Sequence, residues 1–171
     1  AIAALFIELP SSPLGAVLTG LAFSAFPAAV WLGVFYRFDA HESSPKEKVF
    51  AVFLLGALFA SGLGIPLLRI IFPLGRWLSI DIPIAERWVL AVLVGGVATE
   101  FLKYLGIRTS VYGNENFEQR ADGIVYGGAM GLGYAFMLNL TYFLEARPSD
   151  PVAAAFTVAV ESLAQASFAG I

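Results

Sequence analysis

The feature that most constrains this chain is a series of apolar stretches, each about as long as a helix that crosses a bilayer. A spanning helix needs roughly 20 mostly apolar residues to cover a hydrocarbon core of about 30 Å. Five stretches meet or approach that length, at about residues 14–35, 49–71, 88–105, 123–144 and 151–171. We predict an all-α, polytopic transmembrane helical bundle, because lipid cannot satisfy open strand edges and no segment alternates like a barrel strand.

The composition excludes several classes of protein. Only 13% of the residues are charged, against about a quarter in a soluble domain, so a water-facing globule or a disordered chain is excluded. The net charge of −3 leaves no basic patch for nucleic acid. There is no Cys, and the one His, His41, lies in a polar loop where we expect it to be solvated. We therefore predict neither a metal site nor a cofactor.

The spans form one predicted domain, residues 14–171. Residues 1–13 are predicted to be an interfacial lead-in or the end of a preceding span, and no signal peptide is visible. The chain begins with Ala1 and is still apolar at Ile171, so further spans beyond its ends are expected as an open alternative. The segment at 72–87 is predicted to be an irregular or amphipathic stretch along the interface, and 106–122 a solvated loop.

Lysine and arginine give a weak prediction of orientation, since they favour the cytoplasmic side. Six of them fall on the side of the first and third loops, and four fall on the other side. The majority includes Lys103, near the predicted end of the third span. We place this side in the cytoplasm, with the N-terminus of the first span facing out.

Small residues recur four positions apart within the predicted spans. The pairs are Gly20 with Ser24, Gly56 with Ala60, and Gly127 with Gly131, with Gly133 close to the last pair. Such spacing lets helix backbones approach closely. We predict that these rows pack the bundle, while one row facing a partner subunit remains the alternative.

Polar residues inside predicted spans need an explanation, because a charge in hydrocarbon costs at least a few kcal/mol. Glu100 and Lys103 share a helical face and can pair, as a helix-end ion pair or with Lys103 reaching the interface. Asn139 is expected to bond to a neighbouring helix, and Asp122 to cap the fourth span. Glu161 is the most isolated carboxylate, and it can pair with Lys103, face a cavity or meet a partner's cation.

Three segments, in order and spacing, resemble the PrsW family of intramembrane proteases. They are YRFDAHESSPKEKVFAVFLLGALFA at 36–60, TEFLKYLGI at 99–107 and DGIVYGGAMGLGYAFMLNLTYF at 122–143. The second is similar to the family's Glu-Glu-x-x-Lys helix, and the third to its Asp-Gly-x-x-Tyr-Gly helix, which ends in Phe-x-x-x-Glu-Asn. The resemblance covers roughly residues 30–145 and implies a polytopic protein of the bacterial cytoplasmic membrane.

The resemblance also implies where a catalytic centre would lie. In the family, the paired glutamates, the glutamate of Phe-x-x-x-Glu and a later histidine are thought to form a polar or metal-binding centre. Here Thr99 stands at the first paired glutamate, while Glu100 and Lys103 match the remaining positions. Leu138 stands at the next carboxylate, and Asn139 retains the asparagine that follows it.

The last helix departs from the family as well. The run VESLAQASFAGI at 160–171 is similar to the family's Arg-Ser-Leu…His helix, but Glu161 stands at the arginine and no histidine occurs. Peptide hydrolysis needs an activated water, from a tuned carboxylate base or from a metal with about three protein ligands. A lone Glu100 supplies one ligand, so the resemblance predicts the fold and argues against the activity.

Three functions remain as hypotheses. The first is a catalytically inactive relative that binds membrane-protein partners within the bilayer as a scaffold or accessory subunit. The second is an active intramembrane protease, with a centre completed beyond residue 171 or by Glu100 together with Glu161. The third is a module that binds lipids or small hydrophobes. Catalytic candidates are thus Glu100, Lys103 and Glu161, and none of the hypotheses involves nucleic acid.

Overall fold

A computed structural model of the chain describes residues 12–38, 46–71, 83–111 and 120–170. The regular elements in these ranges are helices. They are α1 (Pro13–Phe38), α2 (Lys46–Phe59), α3 (Ile65–Ile71), α4 (Ile84–Leu90), α5 (Thr99–Ser110), α6 (Arg120–Glu145) and α7 (Pro151–Ala169). A π-helical segment at Ala60–Gly64 joins α2 to α3, and another at Ala91–Ala98 joins α4 to α5. The predicted all-α fold is confirmed.

Among the described helices, four are long and apolar enough to cross a membrane. They are Pro13–Arg37, Lys46–Ile70, Asp122–Glu145 and Pro151–Ala169, and they match the predicted first, second, fourth and fifth spans. The third predicted span lies within the helical run formed by α4, the second π segment and α5, which is not one of the four. The chain is an integral membrane bundle, and the count of five spans stays a prediction.

Helix α6 forms the centre of the bundle. Its most apolar window is 67% buried, whereas the windows of the other three spanning helices are 22–28% buried. Large apolar side chains such as Phe26 and Phe156 point outward from α1 and α7. Polar Lys103, Asn139 and Ser162 point inward instead. This distribution suits a lipid solvent, in which polar groups must find partners inside the protein.

Glycines in α6 allow α7 to approach along one face. A Cβ at Gly131 would overlap the carbonyl oxygen of Gln165, and a Cβ at Gly127 would overlap that of Ala169. Side chains at these two positions would therefore separate the helices. The turn between them is closed by Asp150, whose carboxylate accepts hydrogen bonds from the first backbone N–H groups of α7.

Another face of α6 packs equally closely against α2. A Cβ at Gly133 would overlap the carbonyl oxygen of Phe53, and a Cβ at Gly56 would overlap that of Met130. Four of the glycines predicted to pack the bundle thus lie at backbone contacts on two faces of the central helix, whereas Gly20 of α1 lies against the side chains of Phe143 and Leu140.

The third predicted helix is longer than the sequence indicated. The interpretation of 106–122 as a loop was wrong at its start, because α5 continues to Ser110. The polar side chains at its end bond within the helix, where Thr109 donates to the carbonyl of Leu105 and Ser110 to that of Gly106. The expected irregular segment 72–87 also ends earlier, since α4 begins at Ile84.

Three other predictions concern Asp122, His41 and the N-terminal residues 1–13. Asp122 lies inside the first turn of α6, which begins at Arg120, so the predicted capping position is wrong. Its carboxylate still lies at the positive end of the helix dipole. His41 and most of the 1–13 lead-in lie outside the described residues.

Candidate functional site

Lys103 is the centre of a hydrogen-bonded polar chain inside the bundle. The residue is fully buried, and its Nζ lies 2.5 Å from Oε1 of Glu100, one helical turn earlier on α5. The same Nζ donates to Oε1 of Gln165 on α7 at 2.6 Å. The ammonium group therefore joins α5 to α7.

Gln165 extends this chain to a second carboxylate. Its Nε2 donates to Oε1 of Glu161 at 2.8 Å, one turn earlier on α7. We call Glu100, Lys103, Gln165 and Glu161 the polar cluster. Glu100 and Glu161 both act electrostatically on the Lys103 ammonium. Glu161 is thus linked to Lys103 through the Gln165 amide, and among the described residues no direct ion pair joins the two, as the predicted pairing would require.

The cluster lies deep in the bundle. Lys103 Nζ stands 5.6 Å from the ring centroid of Tyr134, which lies near the middle of α6. The Glu100–Lys103 pair therefore does not lie at a helix end, because the helix continues to Ser110, and Lys103 is enclosed by protein. Without Lys103, the count of basic residues that favoured the predicted orientation falls from six to five against four, so that orientation stays a weak prediction.

The residues around the cluster supply few free ligand atoms. The Thr99 hydroxyl donates to the carbonyl oxygens of Gly95 and Gly96 in the second π segment, at 2.5 Å and 3.0 Å. Leu138, one turn after Tyr134 on α6, is half-buried and carries no ligand atom. Among the described residues, no group of three or more His, Cys, Asp or Glu side chains is placed to hold a metal.

Both π segments lie beside this region. Gly64, the last residue of the first one, faces the Tyr134 hydroxyl so closely that a Cβ there would overlap it. Gly95 and Gly96 of the second accept from Thr99. π-helical turns leave the regular ladder of backbone hydrogen bonds and are frequent at functional sites. Here the first segment borders the Tyr134 hydroxyl, and the second leads directly into α5, the helix that carries Lys103.

Sequence reasoning missed Gln165, Tyr134 and Ser162 as members of the polar interior. A signal existed for Gln165, because it lies four residues after Glu161 and so shares its helical face. For Tyr134 and Ser162, the sequence offers only their spacing from other polar residues, and their roles depend on contacts between helices.

Asn139 links α6 to α7 beyond the cluster, as the sequence predicts for a polar residue deep in a span. Its Nδ2 donates to Oγ of Ser162 at 3.1 Å and to the carbonyl oxygen of Val158 at 3.3 Å. Asn139 and Ser162 are both buried. These bonds fix the register of the two helices, and with it the position of Gln165 and Glu161 relative to α6.

Asn139→Leu is expected to lower the free energy of unfolding in bicelles by about 1 kcal/mol, since hydrogen bonds between membrane helices contribute about this much. Thr141→Val is the matched control, because the Thr141 hydroxyl bonds only within its own helix, to Met137, and we expect a smaller effect. Equal stability of Asn139→Leu and the wild type would show that the bonds to α7 contribute nothing.

A separate apolar cavity of about 590 Å³ lies between α1 and α7. Its walls carry almost no polar surface, so it can accept hydrocarbon but offers no group for chemistry. The lining residues are Ala22, Phe23, Phe26, Pro27, Val30, Trp31, Ala155, Val158 and Ala159. The residues of the polar cluster are not part of its lining.

Comparison with known proteins identifies relatives of the chain. Residues 44–167 match the family described as PrsW family intramembrane metalloprotease. "Protease PrsW" of Geobacillus kaustophilus (strain HTA426) is 31% identical over 118 residues, which cover 69% of this chain and 49% of that protein. "Protease PrsW" of Bacillus subtilis (strain 168) is 29% identical over 118 residues, covering 69% and 50%. The chain therefore spans about half the length of these relatives. No solved structure matches it.

Proposed function

This chain belongs to the PrsW family of intramembrane metalloproteases, and we propose that it binds and positions transmembrane segments of partner proteins without hydrolysing them. It would then act as a scaffold or an accessory subunit of a membrane protein complex. The observation that carries the proposal is the set of side chains around Glu100: Thr99 and Leu138 stand where the family's motifs place further carboxylates, and Lys103 engages the carboxylate that remains.

The polar cluster is poorly suited to activating water. Glu100 is held against Lys103 Nζ at 2.5 Å, so one oxygen of this carboxylate is already occupied by a cation. A general base must reach the water and take its proton. Glu161 is engaged as well, by the amide of Gln165. The nearby hydroxyl of Thr99 donates to its own helix.

The residues present also do not fit the metal that the family description implies. A hydrolytic zinc site uses about three protein ligands from His, Asp, Glu or Cys and keeps one position for water. The described residues near Lys103 provide two carboxylates, and the ammonium group would repel a divalent cation placed between them. Leu138 adds no donor. We therefore assign no metal-dependent step to this chain.

The test is a cleavage assay in proteoliposomes. Single-span proteins, including an established substrate of an active relative, are reconstituted with this chain, and the products are analysed by mass spectrometry. We expect no cleavage, while the active relative cleaves its substrate in parallel vesicles. Cleavage by this chain that disappears on Glu100→Gln would overturn the proposal.

A second candidate, an intramembrane protease that uses Glu100 with Glu161, is favoured by one observation. The two carboxylates belong to one hydrogen-bonded chain, as expected for a pair that shares a task. This candidate predicts cleavage that Glu161→Gln abolishes as completely as Glu100→Gln, so the same assay distinguishes it. The apolar cavity leaves lipid binding as a property compatible with either candidate.

A further inference from the structure

We propose that the polar cluster recognises a partner transmembrane helix that carries a single basic residue near the middle of the membrane. This inference rests on the proposed function and adds the chemistry of the partner. It follows from the charge of the cluster, the exposure of its carboxylates and a buried hydroxyl group beside them.

The charges of the polar cluster do not balance. With all groups ionised, Glu100 and Glu161 contribute two negative charges and Lys103 contributes one positive charge. One surplus negative charge at this depth is costly, because charged groups inside a membrane require a counter-charge or water. A lysine or arginine on a neighbouring helix would balance the cluster at two against two.

The surplus charge lies where a neighbour can reach it. Lys103 is 1% exposed, whereas the Glu100 side chain is 35% exposed and Glu161 is half-buried. The cation is thus enclosed, whereas both glutamates are partly exposed at the surface formed by the described residues. A basic side chain on a partner helix can approach these carboxylates from outside without displacing Lys103.

A second observation points to an additional group at this place. Tyr134 is fully buried, and its hydroxyl has no hydrogen-bond partner among the described residues. The hydroxyl faces Gly64, and the ring centroid lies 5.6 Å from the Lys103 Nζ that Glu100 engages. A buried hydroxyl without a partner costs about 1–3 kcal/mol. A polar group brought in beside Glu100, or a water that comes with it, would satisfy the hydroxyl.

The experiment varies the partner helix and leaves this chain intact. Labelled helices of about 23 leucine and alanine residues carry one central Lys, one central Leu, or one Lys moved close to an end. Association with the full chain is measured by energy transfer in lipid vesicles. We expect the central-Lys helix to bind about tenfold more tightly than the other two, because one charged interhelical contact supplies about that factor.

Variants of this chain then locate the effect. Glu161→Gln keeps the hydrogen bond from Gln165 and removes the surplus charge, so we expect it to abolish the preference for central Lys. Glu86→Gln is the matched control, since Glu86 is an exposed carboxylate of α4 outside the cluster, and we expect the preference to be retained.

The outcomes separate this inference from the proposed function. Equal binding of central-Lys and central-Leu helices would overturn the inference and leave the proposed function in place, and it is the result expected if a proton neutralises the surplus charge. Failure of every helix to bind would contradict the proposed function itself. Cleavage of a bound helix would overturn the proposal that this chain does not hydrolyse its partners. The preference for a central lysine would stand in that case.

Discussion

Gly131→Leu is expected to lower the free energy of unfolding by at least about 3 kcal/mol and to leave little correctly assembled protein. A Cβ at this position would lie 2.7 Å from the carbonyl carbon of Gln165 and 2.9 Å from the Cα of Ala166. These are backbone atoms of α7, which cannot rotate away as a side chain can. Overpacking usually costs about 1–3 kcal/mol even where side chains yield, so a clash with backbone should cost more. The yield of monodisperse protein in mild detergent and the unfolding curve in bicelles measure the effect.

Gly33→Leu is the matched control for this prediction. Gly33 lies in α1, is exposed, and a Cβ there would meet no atom within 4 Å. A lipid-facing leucine should change stability by no more than about 0.5 kcal/mol. Normal assembly of Gly131→Leu would mean that the glycine row of α6 faces lipid, and it would contradict the packing of α6 against α7.

The helices could be predicted from the length of the apolar stretches, because each span must cover the same hydrocarbon thickness. The predicted 123–144 and the observed Arg120–Glu145 differ by three residues or fewer at each end. The third helix was underestimated for a physical reason. Its charged and hydroxyl-bearing residues lower the apparent hydropathy, although Lys103 is buried against α6 and α7 and Thr109 bonds to its own helix.

The polar cluster could be predicted only within single helices. Glu100 and Lys103 are three residues apart, so their pairing follows from the period of the helix. The bond between Lys103 and Gln165 joins residues that are 62 positions apart in the sequence, and no local pattern encodes it. The close approach of α6 and α7 creates this contact, and it depends on Gly131. The π segments were also beyond prediction, since glycines such as Gly95 suggest weakness in a helix without specifying its form.

Lys103→Leu is expected to be the most destabilising change of a charged residue described here, at about 3 kcal/mol or more. Removing one partner of a buried ion pair leaves the other charge uncompensated, which typically costs about 3–5 kcal/mol. Here two carboxylates, Glu100 and Glu161, would lose the same cation, and Gln165 would lose its donor. The value should lie near the lower limit because both glutamates are only half-buried. Unfolding in bicelles provides the measurement.

The triple variant Lys103→Leu, Glu100→Gln, Glu161→Gln distinguishes the contribution of the Lys103 charge to stability from that of its side-chain volume. If the ammonium stabilises the bundle by neutralising carboxylates, removing all three charges should restore most of the lost stability, because a neutral interior of similar volume is often as stable as a buried ion pair. If Lys103 serves mainly by filling space between α5 and α6, leucine alone should already be tolerated. If Lys103→Leu is destabilised and the triple variant is no more stable, then neither the charge nor the volume of Lys103 explains its burial. The hydrogen bond from Lys103 to Gln165, which both variants lack, would then be the contact that holds α5 against α7.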